Sequence, residues 1–283
     1  MRCRTSSGFR SLLGVGIAIS SVVTVAGGQT APPAPRAAAQ SRPTPRANQL
    51  PRTADGKPDF NGFWQALNTA AWDIQDHSSS LVSFLGVPPG RGVVEGNEIP
   101  YTPAALEQKK ANFAKRATDD PGFAKCLLPG VPRATYMPYP FEIIQDPKMI
   151  GIRYAFARAV RTIDLAGRSR DWLKGWPDFW MGDSRGKWEG DTLVVDVRKL
   201  DERSWFDHAG NFHSDALHVV ERYTFIDRDH IQYEATIDDP NVFTRPWKMR
   251  MPLYRIIDRN FELLEWDCRF DQDSDKYKDA IPK

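Results

Sequence analysis

Cysteine is scarce: three in 283 residues, at positions 3, 126 and 268, too far apart for the paired spacings of a structural zinc site. No sign of charge predominates. The 38 basic and 36 acidic residues leave a net +2, and the basic ones are scattered, which argues against a nucleic-acid partner. Long apolar runs are missing as well. The longest, Leu12 to Ala26, holds roughly 15 residues where a spanning helix needs about 20, so no transmembrane segment is expected. There is no internal repeat and no glycine-rich dinucleotide or phosphate fingerprint, and no cofactor is expected. His208, His213 and His218 recur every five residues, which aligns them on neither a strand face nor a helix face. Asp227 and Asp229 lack the glycine and bidentate glutamate of a calcium loop. No metal site is expected.

What is present begins with an export signal. Arg2, Arg4 and Arg10 precede the apolar run, and Ala26-Gly27-Gly28 follow it, the order of a cleaved secretory leader ending near Gly28. A periplasmic or secreted protein is therefore expected. Residues 29–58 are rich in Pro and Ala with few large apolar side chains, a composition that cannot offset its ordering entropy; they read as a disordered tether. Residues 59–283 then suit a single domain. Export leaves Cys126 and Cys268 where disulfides persist, and one bridge between them is the simplest accounting, contributing about 4 to 5 kcal/mol in the chain-entropy model.

One helix stands out, Tyr101 to Ala117, with Thr102 as N-cap, Pro103 at the first helical position, and a narrow stripe through Leu106, Lys109, Lys110 and Phe113. After Pro140 the period becomes two. Phe141–Ile144, Met149–Tyr154, Arg158–Ile163, Leu193–Val197, His218–Phe225, Ile231–Ile237, Lys248–Arg255 and Phe261–Trp266 read as short strands joined by turns. This predicts a mainly all-β domain, an antiparallel calycin-like barrel or a sandwich with one or two peripheral helices. Ile231, Tyr233, Ala235 and Ile237 form one apolar face; the opposite face meets either solvent or a polar cavity.

Several motifs extend beyond this pattern. They are Pro58-Asp59-Phe60-Asn61-Gly62-Phe63-Trp64, the run Cys126-Leu127-Leu128-Pro129-Gly130-Val131-Pro132-Arg133, and Trp180-Met181-Gly182-Asp183-Ser184-Arg185-Gly186-Lys187-Trp188-Glu189-Gly190-Asp191-Thr192-Leu193-Val194-Val195. Gly210-Asn211-Phe212-His213-Ser214 and Phe243-Thr244-Arg245-Pro246-Trp247 follow. In these the chain resembles a large group of secreted β-rich proteins of soil bacteria. The resemblance implies architecture and export, and brings no catalytic assignment. Members of that group end in Glu-aromatic-x-Cys-His-Glu-Gly-Asn, whereas this chain keeps Cys268 but has Arg269-Phe270 in place of the His-Glu pair.

The side chains suited to chemistry cluster between Trp180 and Trp247. Gly182-Asp183-Ser184-Arg185-Gly186 matches a nucleophile elbow, and Asp207 then His213 would follow in triad order, but no helix follows Ser184; a Gly-Ser turn is the expectation. His213 is the candidate general base or acid, with Asp207 fixing its tautomer and Arg222 holding an anion or oxyanion. Glu221 and Arg222 point to opposite strand faces, so one of them, not both, enters the interior. Trp180, Trp188, Trp205 and Trp247, with Ser184, are candidates to line a pocket for an apolar or glycosidic ligand. The reading is an acid/base enzyme of the lyase, isomerase or hydrolase type, acting on a small molecule. A ligand carrier and a structural envelope protein are the alternatives, with the oligomeric state open.

Overall fold

Period-two burial sets the architecture. The structure, a computed structural model, describes residues 50–82, 85–87 and 89–266. Its strands are β1 (Gly62–Ala66), β2 (Ser80–Val82), β3 (Leu85–Val87), β4 (Phe141–Asp146), β5 (Met149–Tyr154), β6 (Val160–Asp164), β7 (Asp183–Glu189), β8 (Thr192–Arg198), β9 (His218–Asp227), β10 (His230–Asp238) and β11 (Trp247–Arg255). Nine of them close a barrel in the order β1, β11, β10, β9, β8, β7, β6, β5, β4, while β2 and β3 form a separate ribbon. The barrel is thus realised rather than the sandwich. Its pairings are antiparallel with one exception among the described strands: β6 joins β7 in parallel, through Ile163↔Ser184 and Asp164↔Arg185.

The interior is packed. Val195, Val197, Val219, Tyr223, Ile231, Tyr233, Ala235, Ile237, Met249 and Leu253 point inward from β8 to β11, each buried. The polar face of β10 is solvent-side, with Glu234 held by Arg250 of β11 at 2.9 Å. At one end Phe60 stacks on Trp188 and tilts against Phe225, closing the interior with rings. A short helix α2 (Arg133–Tyr136), every residue of it buried, packs on β1. The longer helix α1 (Pro103–Asp119) is capped as expected, Thr102 Oγ1 accepting from the Ala105 amide. Its anticipated stripe stays largely in solvent, since Leu106 and Phe113 are exposed and Ala105 is the residue that is buried. No helix among the described residues is long and apolar enough to cross a membrane.

β1 depends on a close approach. Trp64 is buried, its indole N–H donating to the Phe60 carbonyl at 2.8 Å, and the Arg255 guanidinium lies 4.2 Å over its ring. A Cβ on Gly62 would fall 2.9 Å from Arg255 Nη1, and φ is +119° there, so glycine serves both backbone and packing.

Three expectations need correction. The Gly182–Gly190 segment, read as turns, contributes β7 because seven residues of β8 pair along it. Phe261–Trp266 is not a strand; Trp266 makes one isolated bridge to Phe156. Chain order begins before Asp59: Leu50 packs against the core, and Arg52 is bound by both carboxylate oxygens of Asp191, at 2.6 and 2.7 Å. The expected leader and the tether up to residue 49 lie outside the described residues, as does Cys268.

Candidate functional site

The parallel seam weakens the barrel wall at one place. Since β6 meets β7 through two residue pairs, Val160 to Thr162 have no strand partner on that side among the described residues. The chain between the strands covers the gap, and a cleft of about 280 Å³ remains, lined on its apolar side by Val160, Trp172, Leu173, Phe179 and Met181 and elsewhere by the paired charges of Asp164, Arg168, Asp183 and Arg185. Arg161 and Ser184 line it too, and both are buried side chains that point inward on their strands.

These two join a network inside the barrel. Arg161 Nε donates to Ser184 Oγ at 2.9 Å, while its two terminal nitrogens clasp the Glu221 carboxylate. The hydroxyls of Tyr223 and Tyr233 donate to Glu221 Oε1 at 3.1 and 2.8 Å. Burial opposes the charge of Arg161, but Glu221 outweighs it and holds the guanidinium pKa well above its usual value. Burial, reinforced by the Glu221 charge, raises both phenols, so they remain donors. The arrangement is a buried ion pair reinforced by two phenol donors, suited to presenting a fixed positive end beneath the cleft.

Of the expected catalytic group, Glu221 is the inward member of its pair, and Arg222 lies outside, half-exposed, bound to Glu189 at 2.9 Å. Arg222 therefore does not reach an interior oxyanion. Asp207 does not orient His213 either. Its Oδ2 accepts from the Ile74 amide at 2.9 Å and Asn211 Nδ2 at 2.5 Å, and its Oδ1 accepts from the Asn211 amide at 3.1 Å. Burial, with the Asp73 carboxylate adding to it, pushes the Asp207 pKa up to about 7.

His213 instead meets a serine that sequence reading missed. Its Nδ1 lies 2.8 Å from the Ser214 carbonyl, which requires the proton there and leaves Nε2 as an acceptor 2.8 Å from Ser204 Oγ, whose hydroxyl also has the Asp201 carbonyl within reach at 3.1 Å. Burial lowers the His213 pKa, against the pull of the Ser214 carbonyl and of Asp239 and Asp201, so the ring is neutral. The pair is enclosed: a Cβ on Gly130, whose φ is +72°, would lie 2.6 Å from Ser204 Oγ. No spacing announces Ser204. Its signal is the position of a small hydroxyl between Arg203 and Trp205 in an otherwise bulky loop.

The tryptophans do not converge. Trp188 closes the Phe60 end; Trp180 lies under the Arg203 guanidinium at 4.6 Å; Trp205 bridges to Phe212; Trp247 is buried edge-on to Phe206 and Phe243. Missed as well was a buried triad that pins the same loop, with Arg133 bidentate on Asp120 at 2.8 Å and His208 Nδ1 on the same carboxylate at 2.7 Å. His218 pairs with Asp196 at 2.6 Å. The three histidines at five-residue intervals thus serve three different partners. Arg161 was readable: in Val160 to Asp164 it shares a face with Ile163. No family model matches the chain, and no curated protein is significantly similar to it.

Proposed function

We propose that this chain is an exported barrel protein that binds a compact small molecule in the cleft at the β6–β7 seam. The observation that carries this reading is the pairing of aromatic and apolar side chains in the cleft with Arg161 and Ser184, both buried, Arg161 held from behind by Glu221 and in turn bonded to Ser184. Small-molecule sites combine an apolar lining with few, fixed polar groups. At about 280 Å³ the cleft is near the lower end of that class and favours a ligand with a flat apolar body and one acceptor. Binding without turnover is preferred, because the Glu221 carboxylate already accepts four hydrogen bonds and the His213 ring does not line the cleft.

Turnover is the second reading, and Ser204 with His213 favours it. A neutral imidazole accepting from a serine hydroxyl is the geometry in which a base takes the proton of an attacking oxygen. One experiment separates the two. A metabolite library is screened by thermal shift on the wild type, on Val160→Trp, which fills the mouth, and on Ser204→Ala. Saturating ligand at about 100-fold its Kd stabilises by about 2.7 kcal/mol. A hit that loses its effect in Val160→Trp supports the seam site, and one that shifts both proteins equally sinks it. Consumption of the hit by wild type but not by Ser204→Ala would establish turnover instead.

Export rests on the leader-like N-terminus, and membership of the secreted β-rich group rests on the quoted motifs. The proposed bridge from Cys126 to Cys268 is supported by Trp266, which stacks on Tyr139 at 5.0 Å within the small cluster that also takes in Cys126. Alkylation of the unreduced, unfolded mature chain followed by mass measurement is expected to label no cysteine. Two labels would remove the bridge.

A further inference from the structure

A second cleft, of about 660 Å³, lies away from the seam at the end of the barrel closed by Phe60, Trp188 and Phe225. Three pieces of chain wall it: the N-terminal turn around Asp55 and Asp59, the end of β4 at Gln145 and Asp146 with Pro147 after it, and Trp188 of β7. The volume lies within the ~300 to 1,000 Å³ of ordinary ligand sites. We infer that this cleft is a binding site for an uncharged saccharide, stacked on Trp188 and held through its hydroxyls by the carboxylates and amides around it.

The platform is fixed. Phe60, buried, stacks beneath the Trp188 indole with ring centroids 5.7 Å apart and planes 21° from parallel. Lys57 Nζ stands 6.0 Å from the ring centroid, at the outer limit of a cation–π contact. An indole held this way offers an apolar plane to the C–H face of a sugar ring.

The rim is fixed as well. Asp59 Oδ1 accepts from the Asn61 amide and side chain at 3.0 and 2.6 Å, and Asn61 Oδ1 accepts from the Gln145 amide at 2.7 Å. The Gln145 side chain spans from the Phe60 amide to the Pro58 carbonyl, both at 3.0 Å. Asp146 Oδ1 takes the Lys148 amide at 2.9 Å. Among the described residues, Asp59 and Asp146 each accept from the protein at Oδ1, and the Oδ2 of each has no hydrogen-bond partner. Such acceptors make short, charge-assisted bonds to hydroxyls.

Charge selects among sugars. Arg52, the guanidinium on this wall, is engaged at both terminal nitrogens by Asp191. Three carboxylates of the lining, Asp55, Asp59 and Asp146, face any entering ligand, so an acidic sugar is repelled where a neutral one is accepted.

The test uses the folded chain and titration calorimetry with the tetrasaccharides of β-1,4-glucose, α-1,4-glucose and β-1,4-N-acetylglucosamine, and with tetragalacturonate as the acidic counterpart. At least one neutral tetrasaccharide is expected to bind, about tenfold or more weaker in both Trp188→Phe and Asp146→Asn. Asp146 is the exposed last residue of β4, so that variant keeps the test open if an aromatic change disturbs folding. Binding is expected to survive Val160→Trp, so failure of the seam site leaves this one standing. The proposal falls if no neutral tetrasaccharide binds, if both variants bind as the wild type does, or if tetragalacturonate binds as tightly.

Discussion

Glu221→Leu is expected to cost about 3 to 5 kcal/mol of unfolding free energy, because it strands the Arg161 guanidinium inside the barrel. In the wild type that charge is compensated by both Glu221 oxygens, and the two tyrosine hydroxyls add two further bonds to Oε1. Removing the carboxylate leaves two donors of Arg161 and two phenol protons without acceptors. The Arg161→Met, Glu221→Leu double variant removes charge from both sides, and it is expected to regain most of the loss. Guanidinium unfolding of the two variants decides the matter. A single variant no less stable than the double would mean that the pair is not electrostatically closed. The comparison also bears on the seam: the double variant takes the guanidinium from the cleft and is expected to abolish any ligand shift there.

A second large effect concerns acidity. Asp207 ionises at about 3.9 in an unfolded chain, and in the fold its pKa is pushed up to about 7 by burial and by Asp73. The folded state therefore holds a proton that the unfolded state releases across that interval. The stability this proton contributes is fully present below about pH 4 and is lost as pH rises through about 7. Three pKa units at 1.36 kcal/mol each make the loss about 4 kcal/mol. Asp120 acts with the opposite sign. Burial would raise its pKa, but Arg133 and His208 hold it below the usual carboxylate range, so its contribution is present above about pH 4 and lost on acidification. Denaturant unfolding between about pH 5 and pH 8 is expected to show falling stability in the wild type and a much flatter profile in Asp207→Asn. An unchanged slope in the variant would place the titration elsewhere.

The strands whose period agrees with their pairing were legible in the sequence, and the others were not. β10 alternates without a break, and Ile231 to Ile237 face inward as its pattern requires. Gly182 and Gly190 keep turn conformations at the two ends of β7, with positive φ, but the residues between them, Gly186 included, are drawn into the ladder to β8. Phe261–Trp266 is rich in apolar and aromatic residues, but its alternation breaks at Leu263-Leu264 and it has no edge to join, because β1 already occupies the place between β11 and β4. The site divides in the same way. Strand geometry dictated that Glu221 and Arg222 part company, and inward Val219 and Tyr223 show which was to be buried. Asp207 and His213 are six residues apart, and proximity in sequence suggested a pair. The loop turns between them: Asn211 folds back onto Asp207, leaving His213 to Ser204. Such contacts arise from tertiary closure, which single-sequence periodicity does not record.

The position of β1 governs the order of assembly. Arg255 Nη1 reaches the Asn61 carbonyl at 2.7 Å across 194 residues, and Trp64 pairs with Arg255 in the final ladder. During synthesis and any passage across a membrane, β1 emerges first and waits for β11, the last described strand. Until then both flanks of the sheet have unpaired amides and carbonyls, the edges through which β proteins aggregate. Long-range closure of this kind belongs to the slow end of folding, in milliseconds to seconds. The Trp64–Ala66 segment is therefore a latch. It is made early, used last, and responsible for turning an open ribbon into a tube.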